Sequence, residues 1–292
     1  MAINNRCKFK KQDDGKQALF KVMNDLMEKD EKVVHYPSDV QKYTSNFEGV
    51  FANIVHDSGD YPNFELIIDD GVKVIHSAAF VECCLIESVY IPNSVEEIGT
   101  KAFEHCSSLS KVTFEEDSNL KTIGPRAFSM TNISSVDLPP LVETIGEFAF
   151  SGCPELASVT VPELVEVIPQ HFCRDSTNLT KVVIKGDITE IGNQAFRNCA
   201  LTEFDFKSSI KTIGASAFAH NELSQVDLSN TSVFSISNMT FSHNGVVDIK
   251  ISPYTQIIGA GAFSYNQIPQ ETIDEILMYV SFVDNTAFEF QD

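Results

Sequence analysis

From residue 66 onward the apolar positions fall into a fixed rhythm. Two apolar residues separated by one, such as Val89 and Ile91, are followed four positions later by Val95 and three further on by Ile98. Gly99 and the pair Ala102-Phe103 complete the unit. The same series returns with its Ile or Val at 75, 98, 123, 145, 168, 191, 213, 236, 258 and 283, ten units spaced by 22 to 25 residues. The copy at Ile168 to Phe172 reads as one residue short, with Pro169 in place of Gly. A period of this length marks a solenoid. Each apolar pair predicts a short half-buried strand, and parallel stacking at about 4.8 Å predicts one continuous sheet of nine strands. The Gly after each Ile predicts a turn with positive φ, and the Ala-Phe segment a single helical or 3₁₀ turn. Ala is expected where adjacent coils approach closely.

One such unit cannot fold alone. About seven inward apolar side chains contribute about 10 to 20 kcal/mol, whereas ordering the backbone costs about 1 to 2 kcal/mol per residue. Neighbouring coils must supply the rest through a shared core, so the chain divides into a solenoid over 62–292 and a cap region over 1–61. Within the cap, Leu19, Val22, Met23 and Leu26 share one face of a helix expected over about 14–29, and a short helix or hairpin is expected between Val33 and Pro62. Near the far end, Ile273, Ile276, Leu277 and Val280 after Pro269 predict a capping helix over about 270–280.

The chain of 292 residues is 43% hydrophobic, with 22 Phe and no Trp, and its formal net charge is −20. That charge repels phosphate backbones and anionic lipid, so neither nucleic acid nor a membrane surface is expected as partner. Lys8, Lys10, Lys11 and Lys16 read as a solvated basic run. The first residues show no signal-peptide pattern and no apolar run is long enough to span a bilayer, so the expectation is a cytoplasmic monomer without membrane insertion. Seven cysteines, an odd number, suit a reducing compartment. Four of them, Cys83, Cys106, Cys153 and Cys199, stand three residues after the repeat Phe, where other units carry Thr131, Asn221, Asn244 or Asn266. A buried turn whose small side chain satisfies backbone groups is expected there.

Ile-Gly-x-x-Ala-Phe-x-x-Cys-x-x-Leu, as in Ile98 to Leu109, together with Leu109-x-x-Val112-x-Phe114, resembles the BspA-type leucine-rich repeat, also called the Treponema pallidum type. The resemblance covers about residues 62–292. It implies an α/β solenoid wound as a right-handed superhelix of about ten coils, without catalytic residues or cofactor. Bacteria and several unicellular eukaryotes use such domains to recognise proteins, and surface members use them for adhesion.

If strand residues alternate, the one between each apolar pair faces outward: Ile67, then Tyr90, Thr113, Asp137, Thr160, Val183, Asp205, Asp227 and Lys250. Tyr90 through Lys250 form the candidate partner-binding face. Glu203, Asp205, Asp227 and Asp248 would form an acidic strip suited to a basic ligand. Carboxylates stacked about 5 Å apart have the separation of a retaining glycosidase, so Asp205 and Asp227 define the rival reading, a carbohydrate-active enzyme. His220 and His243, at equivalent repeat positions, could bridge a metal, although Asn198 and Tyr265 in the same column favour a tolerant surface site and no metal is expected. No phosphate-binding Gly-rich loop, nucleophile elbow or zinc motif occurs. The function expected is non-catalytic protein binding by an extended surface, with a cell-surface adhesin as the alternative.

Overall fold

The computed structural model describes residues 33–36 and 63–291. The helix expected over about 14–29 lies outside the described residues. The coils from Phe64 to Gln291 stack a second strand of two residues and a ribbon of turns, and all but two of them also carry a main strand. The main strands are β2 (Phe64–Ile68), β4 (Ile86–Ile91), β6 (Lys111–Phe114), β8 (Ser135–Asp137), β10 (Ser158–Val161), β12 (Lys181–Ile184), β15 (Gln225–Asp227) and β17 (Asp248–Lys250). The short strands are β3 (Val74–Ile75), β5 (Glu97–Ile98), β7 (Thr122–Ile123), β9 (Thr144–Ile145), β11 (Val167–Ile168), β13 (Glu190–Ile191), β14 (Thr212–Ile213), β16 (Ser235–Ile236), β18 (Ile257–Ile258) and β19 (Phe282–Val283). All pairings are parallel between successive coils, which is the solenoid the spacing predicts.

One expectation about the sheets is corrected. The main strands form not one sheet but three, of orders β1-β2-β4-β6, where β1 is Val33–Tyr36, β8-β10-β12 and β15-β17. Between the last two, Phe204 and Phe206 turn into the core beside Phe218 instead of pairing. The strand β1 runs parallel to β2, with Val33 opposite Glu65, so these four residues extend the sheet; the rest of the stretch in which a short helix or hairpin is expected, 37–62, lies outside the described residues.

The short ladder, which the apolar spacing did not reveal as paired strands, breaks between β9 and β11. The cause is Pro169. Where Gly stands at this position its N–H donates to the Ile carbonyl of the preceding coil, as from Gly146 to Ile123 at 2.7 Å and from Gly192 to Ile168 at 2.8 Å. Proline has no N–H to give to Ile145.

The repeat glycines have a different cause from the one expected. Gly99, Gly124, Gly146, Gly192, Gly214 and Gly259 do not have positive φ. A Cβ on Gly124 would instead lie 2.6 Å from the Thr100 nitrogen, and one on Gly146 would lie 2.2 Å from the Pro125 nitrogen. Glycine is required there because successive backbones touch.

Positive φ falls on other residues. The Ala-Phe segment is not a helical turn but a ribbon of overlapping β-turns. The residue before Ala and the residue two after Phe are both left-handed, as in Lys101 at 60° and His105 at 61°. Asp117 apart, every described non-glycine residue with positive φ occupies one of these two positions. The left-handed region costs an L-residue about 1 to 2 kcal/mol. In return, alternate N–H groups point along the solenoid axis: Lys101 donates to Pro125, Phe103 to Ala127 and His105 to Ser129, at 2.8 to 2.9 Å.

The core is one row. Phe80, Phe103, Phe128, Phe150, Phe172, Phe196, Phe218, Phe241 and Phe263 are completely buried. The first rings stack in parallel, with centroids 5.1 Å apart for Phe80–Phe103 and 5.3 Å for Phe103–Phe128. The unit at Ile168 is not one residue short. Cys173 N–H donates to Ala195 as the repeat Phe does elsewhere, so Cys173 occupies the Phe slot and Phe172 the Ala slot. Large and small have exchanged places, which conserves volume. Accordingly, Phe172 meets Phe150 and Phe196 edge-on, at 90° and 84°.

The column three residues after Phe is buried, as its composition suggests, but its acceptor lies in the preceding coil as well. Cys106 donates to Phe80 O, Cys153 to Phe128 O and Cys199 to Cys173 O. Asn221, Asn244 and Asn266 reach two Phe carbonyls each and also accept an N–H through Oδ1. Burial pushes the Cys83 and Cys199 thiols up to about 12 and raises Cys106, Cys153 and Cys173. The capping helix is present as α1 (Gln270–Leu277), which places Ile273 and Ile276 in the core.

Candidate functional site

Alternation sets the candidate columns outward most clearly in β10, β15 and β17, and less so in β6 and β12, where Val112 and Val182 are only half-buried. In β10, Val159 and Val161 are buried while Ser158 and Thr160 are partly open. The register then sets outward residues side by side. Tyr90 lies opposite Thr113, Asp137 opposite Thr160, which lies opposite Val183, and Asp227 lies opposite Lys250. Tyr90, Thr113, Thr160 and Val183 are half-buried, whereas Asp137, Asp205, Asp227 and Lys250 are exposed. The breaks in the sheet divide this row into three segments and leave Asp205 off any strand. Thr160 Oγ1 donates to Asp137, and partial burial and the Glu115 carboxylate raise the Tyr90 phenol.

The acidic strip carries its own cations. Lys250 Nζ lies 3.0 Å from Asp227 and Lys207 Nζ 2.5 Å from Asp205. Two hydrogen bonds from Ser229, then Lys250, hold the Asp227 carboxyl below its ordinary range. A glycosidase pair needs one carboxyl raised so that it can donate a proton. The surroundings of Asp227 push the other way.

His220 and His243 stack face to face, 4.2 Å between centroids and 25° between planes. Their in-plane lone pairs therefore run side by side and do not converge on one ion. Among the described residues no group of three or more His, Cys, Asp or Glu is placed to hold a metal.

Two further outward surfaces stand beside the strand row; the first includes the His220 column already expected at the surface, and the second was not foreseen from the sequence. The left-handed positions of the ribbon project two more columns, one carrying the surface stack His220, His243, Tyr265 and Phe290 at 4.1 to 4.6 Å. The near absence of β-branched residues from these positions, where Thr286 alone stands and without positive φ, is the signal that could have found them, because β-branched residues avoid positive φ. The other surface lies at the C-terminal end, where Tyr254, Ile257, Tyr279 and Phe282 are exposed.

The BspA type leucine rich repeat region family matches residues 63–176 and 168–291 in six copies. Among solved structures, a leucine rich cell surface protein from Faecalibacterium prausnitzii is 21% identical with a TM-score of 0.53, covering 78% of this chain and 79% of that one. A leucine-rich repeat protein from Bacteroides ovatus is 21% identical, with a TM-score of 0.47 and coverage of 69% and 64%. The leucine rich repeat protein of T. pallidum is 21% identical, with a TM-score of 0.37 and coverage of 54% and 76%. No curated protein matches the chain. With the Ile-Gly, Ala-Phe and Cys/Asn columns buried in successive coils and the family matched over nearly all of the described solenoid, the chain belongs to the BspA-type leucine-rich repeat family.

Proposed function

We propose that the protein is a non-catalytic, monomeric interaction module that presents the outward rows of its solenoid to a protein partner. One observation supports this most. Positions inside the coil repeat almost unchanged, whereas the row set in register on the outside reads Tyr90, Thr113, Asp137, Thr160, Val183, Asp227 and Lys250, chemically different from coil to coil. Fold requirements fix the first set and leave the second free for recognition. Crosslinking capture with the wild type, Tyr90→Ala and Asp227→Lys is the test. Loss of the same captured protein from both variants is expected, and capture unchanged in both overturns the reading.

Display at a cell surface is the second reading, favoured by the description of the F. prausnitzii protein as a cell surface protein. Protease shaving of intact cells separates it from a cytoplasmic location.

A further inference from the structure

Repeats supply their own controls. A position that accepts Glu, Thr or Ser in six of the first eight coils, and Val in the other two, does not need an aromatic ring in the tenth for folding. The outward residue of the short ladder reads Val74, Glu97, Thr122, Thr144, Val167, Glu190, Thr212 and Ser235, then changes to Ile257 and Phe282. Register places these last two directly opposite each other, Ile257 against Phe282. Three residues earlier in each of these coils stand Tyr254 and Tyr279, where the two preceding coils carry Ser209 and Ser232 and two earlier ones carry Leu141 and Leu164, so an aromatic ring here is particular to the last two coils. Phe234, one coil back, gives its carbonyl to Gln256 N–H, which sets it beside the same patch. Tyr254 is 62% exposed, Phe282 59% and Met278, at the end of α1, 82%. A contiguous surface of large apolar side chains therefore covers one edge of the last two coils, and such patches mark interaction sites.

Charge tells what covers it. Between residues 251 and 292 there are six carboxylates and no Lys, Arg or His. Glu271, Asp274 and Glu275 are exposed on α1, which leads directly into Met278 and Tyr279, and Glu289 is exposed in the last coil. The nearest cation in sequence, Lys250, is already bound to Asp227. A second copy docked end to end would bring two such uncompensated sets together, and like charges across an interface are costly. An anionic membrane surface is disfavoured for the same reason.

We propose that this end of the solenoid, Phe234, Tyr254, Ile257, Met278, Tyr279 and Phe282 with the carboxylates of α1, is a docking surface for a cationic amphipathic protein segment. Apolar side chains of that segment cover the rings, and its Lys or Arg residues meet Glu271, Asp274 and Glu275. The proposal rests on the reading of the protein as an interaction module but places this contact away from the strand face.

The test uses the full chain and a labelled 18-residue helical peptide of Lys and Leu, Lys on one face and Leu on the other, followed by fluorescence anisotropy. A Lys/Ser peptide of the same charge and a Glu/Leu peptide of the same amphipathicity are the comparisons. Expected is binding of the Lys/Leu peptide alone, weakened about tenfold or more by Ile257→Thr and by Phe282→Glu. Thr is the residue of earlier coils at that position, so Ile257→Thr keeps the fold even if Phe282→Glu does not. Tyr90→Ala leaves binding unchanged. Equal binding of the Lys/Ser peptide, or no effect of Ile257→Thr, overturns the proposal. So does concentration-dependent self-association in sedimentation that Phe282→Glu abolishes, which would make a second copy the occupant. If the peptide binds as expected while Tyr90→Ala and Asp227→Lys leave partner capture intact, the strand-face reading fails and this one stands. The reverse pattern fails this one alone.

Discussion

Replacing Gly146 by Ala separates close backbone approach from conformational freedom as the reason for the repeat glycine. Gly146 has no positive φ, so Ala can adopt its backbone angles. The added Cβ would lie 2.2 Å from the Pro125 nitrogen and 2.6 Å from the carbonyl carbon of Gly124. The first contact is about 1.2 Å short of the 3.4 Å at which ordinary contact begins, and both atoms belong to backbone that cannot swing aside. If the coils separate by that amount, the 2.7 Å bond from Gly146 N–H to Ile123 O is lost. Overpacking costs about 1 to 3 kcal/mol and the hydrogen bond about 0.5 to 1.5 kcal/mol, against a gain of about 0.4 to 1 kcal/mol from the stiffer unfolded chain. The net loss is about 2 kcal/mol. Gly245 is the control: a Cβ there meets nothing closer than Leu223 O at 3.9 Å. Gly245→Ala should be neutral or stabilise by about 0.5 kcal/mol. Urea unfolding followed by circular dichroism should place the Gly146→Ala midpoint clearly below wild type and that of Gly245→Ala at or above it. Coincident midpoints for the two variants would refute the argument.

Three other outcomes follow from the columns. Cys199→Asn should keep stability within about 1 kcal/mol of wild type, because Asn221, Asn244 and Asn266 fill the same slot, whereas Cys199→Ala should be less stable than Cys199→Asn by about 0.5 to 1.5 kcal/mol, because the Cys173 carbonyl keeps only the Ser176 N–H of its two donors; thermal and urea unfolding compare the two. Alkylation at pH 8 followed by peptide mass mapping should modify half-exposed Cys84 far faster than Cys83, Cys106, Cys153, Cys173 or Cys199, whose buried thiols stay protonated; equal rates would contradict the buried column. The His220 imidazole is held below its ordinary value by burial first and by His243 next. Its contribution to stability is therefore complete above an unfolded value of about 6.5 and is lost as the pH falls from there through the folded value. An NMR titration should show its midpoint moving up in His243→Asn, and no movement would remove His243 as a cause.

Much of this architecture was legible because burial is periodic. Ile98, Ala102, Phe103 and Cys106 recur at fixed spacing, and each copy occupies the same inward slot. What the pattern concealed was the reason for individual residues. Glycine after Ile looks the same whether it supplies positive φ or lets Thr100 approach, and only coordinates distinguish the two. Phe172-Cys173 read as a shortened unit because an exchange of large for small between adjacent inward slots preserves the core while moving the letter that marks the register. The loss of one N–H at Pro169 interrupts the short ladder, although Pro169 was visible from the start. For the candidate site, alternation predicted that residues such as Tyr90 and Thr160 lie between buried neighbours, but the gap in the sheet at Asp205 and the Lys250 cation beside Asp227 depend on neighbours a full coil away. The apolar end at Tyr254, Ile257, Tyr279 and Phe282 escaped notice because apolar letters near a terminus read as cap.

The central claim is that ten coils share one continuous interior joined by backbone bonds along the axis. Amide hydrogen exchange of the intact chain tests it most directly, since the repeat Phe N–H groups at 80, 103, 128, 150, 196, 218, 241 and 263 each donate to the next coil. The account predicts slow exchange at every one of them. Exchange near the free-peptide rate at alternate coils, with protection confined to isolated blocks, would contradict it.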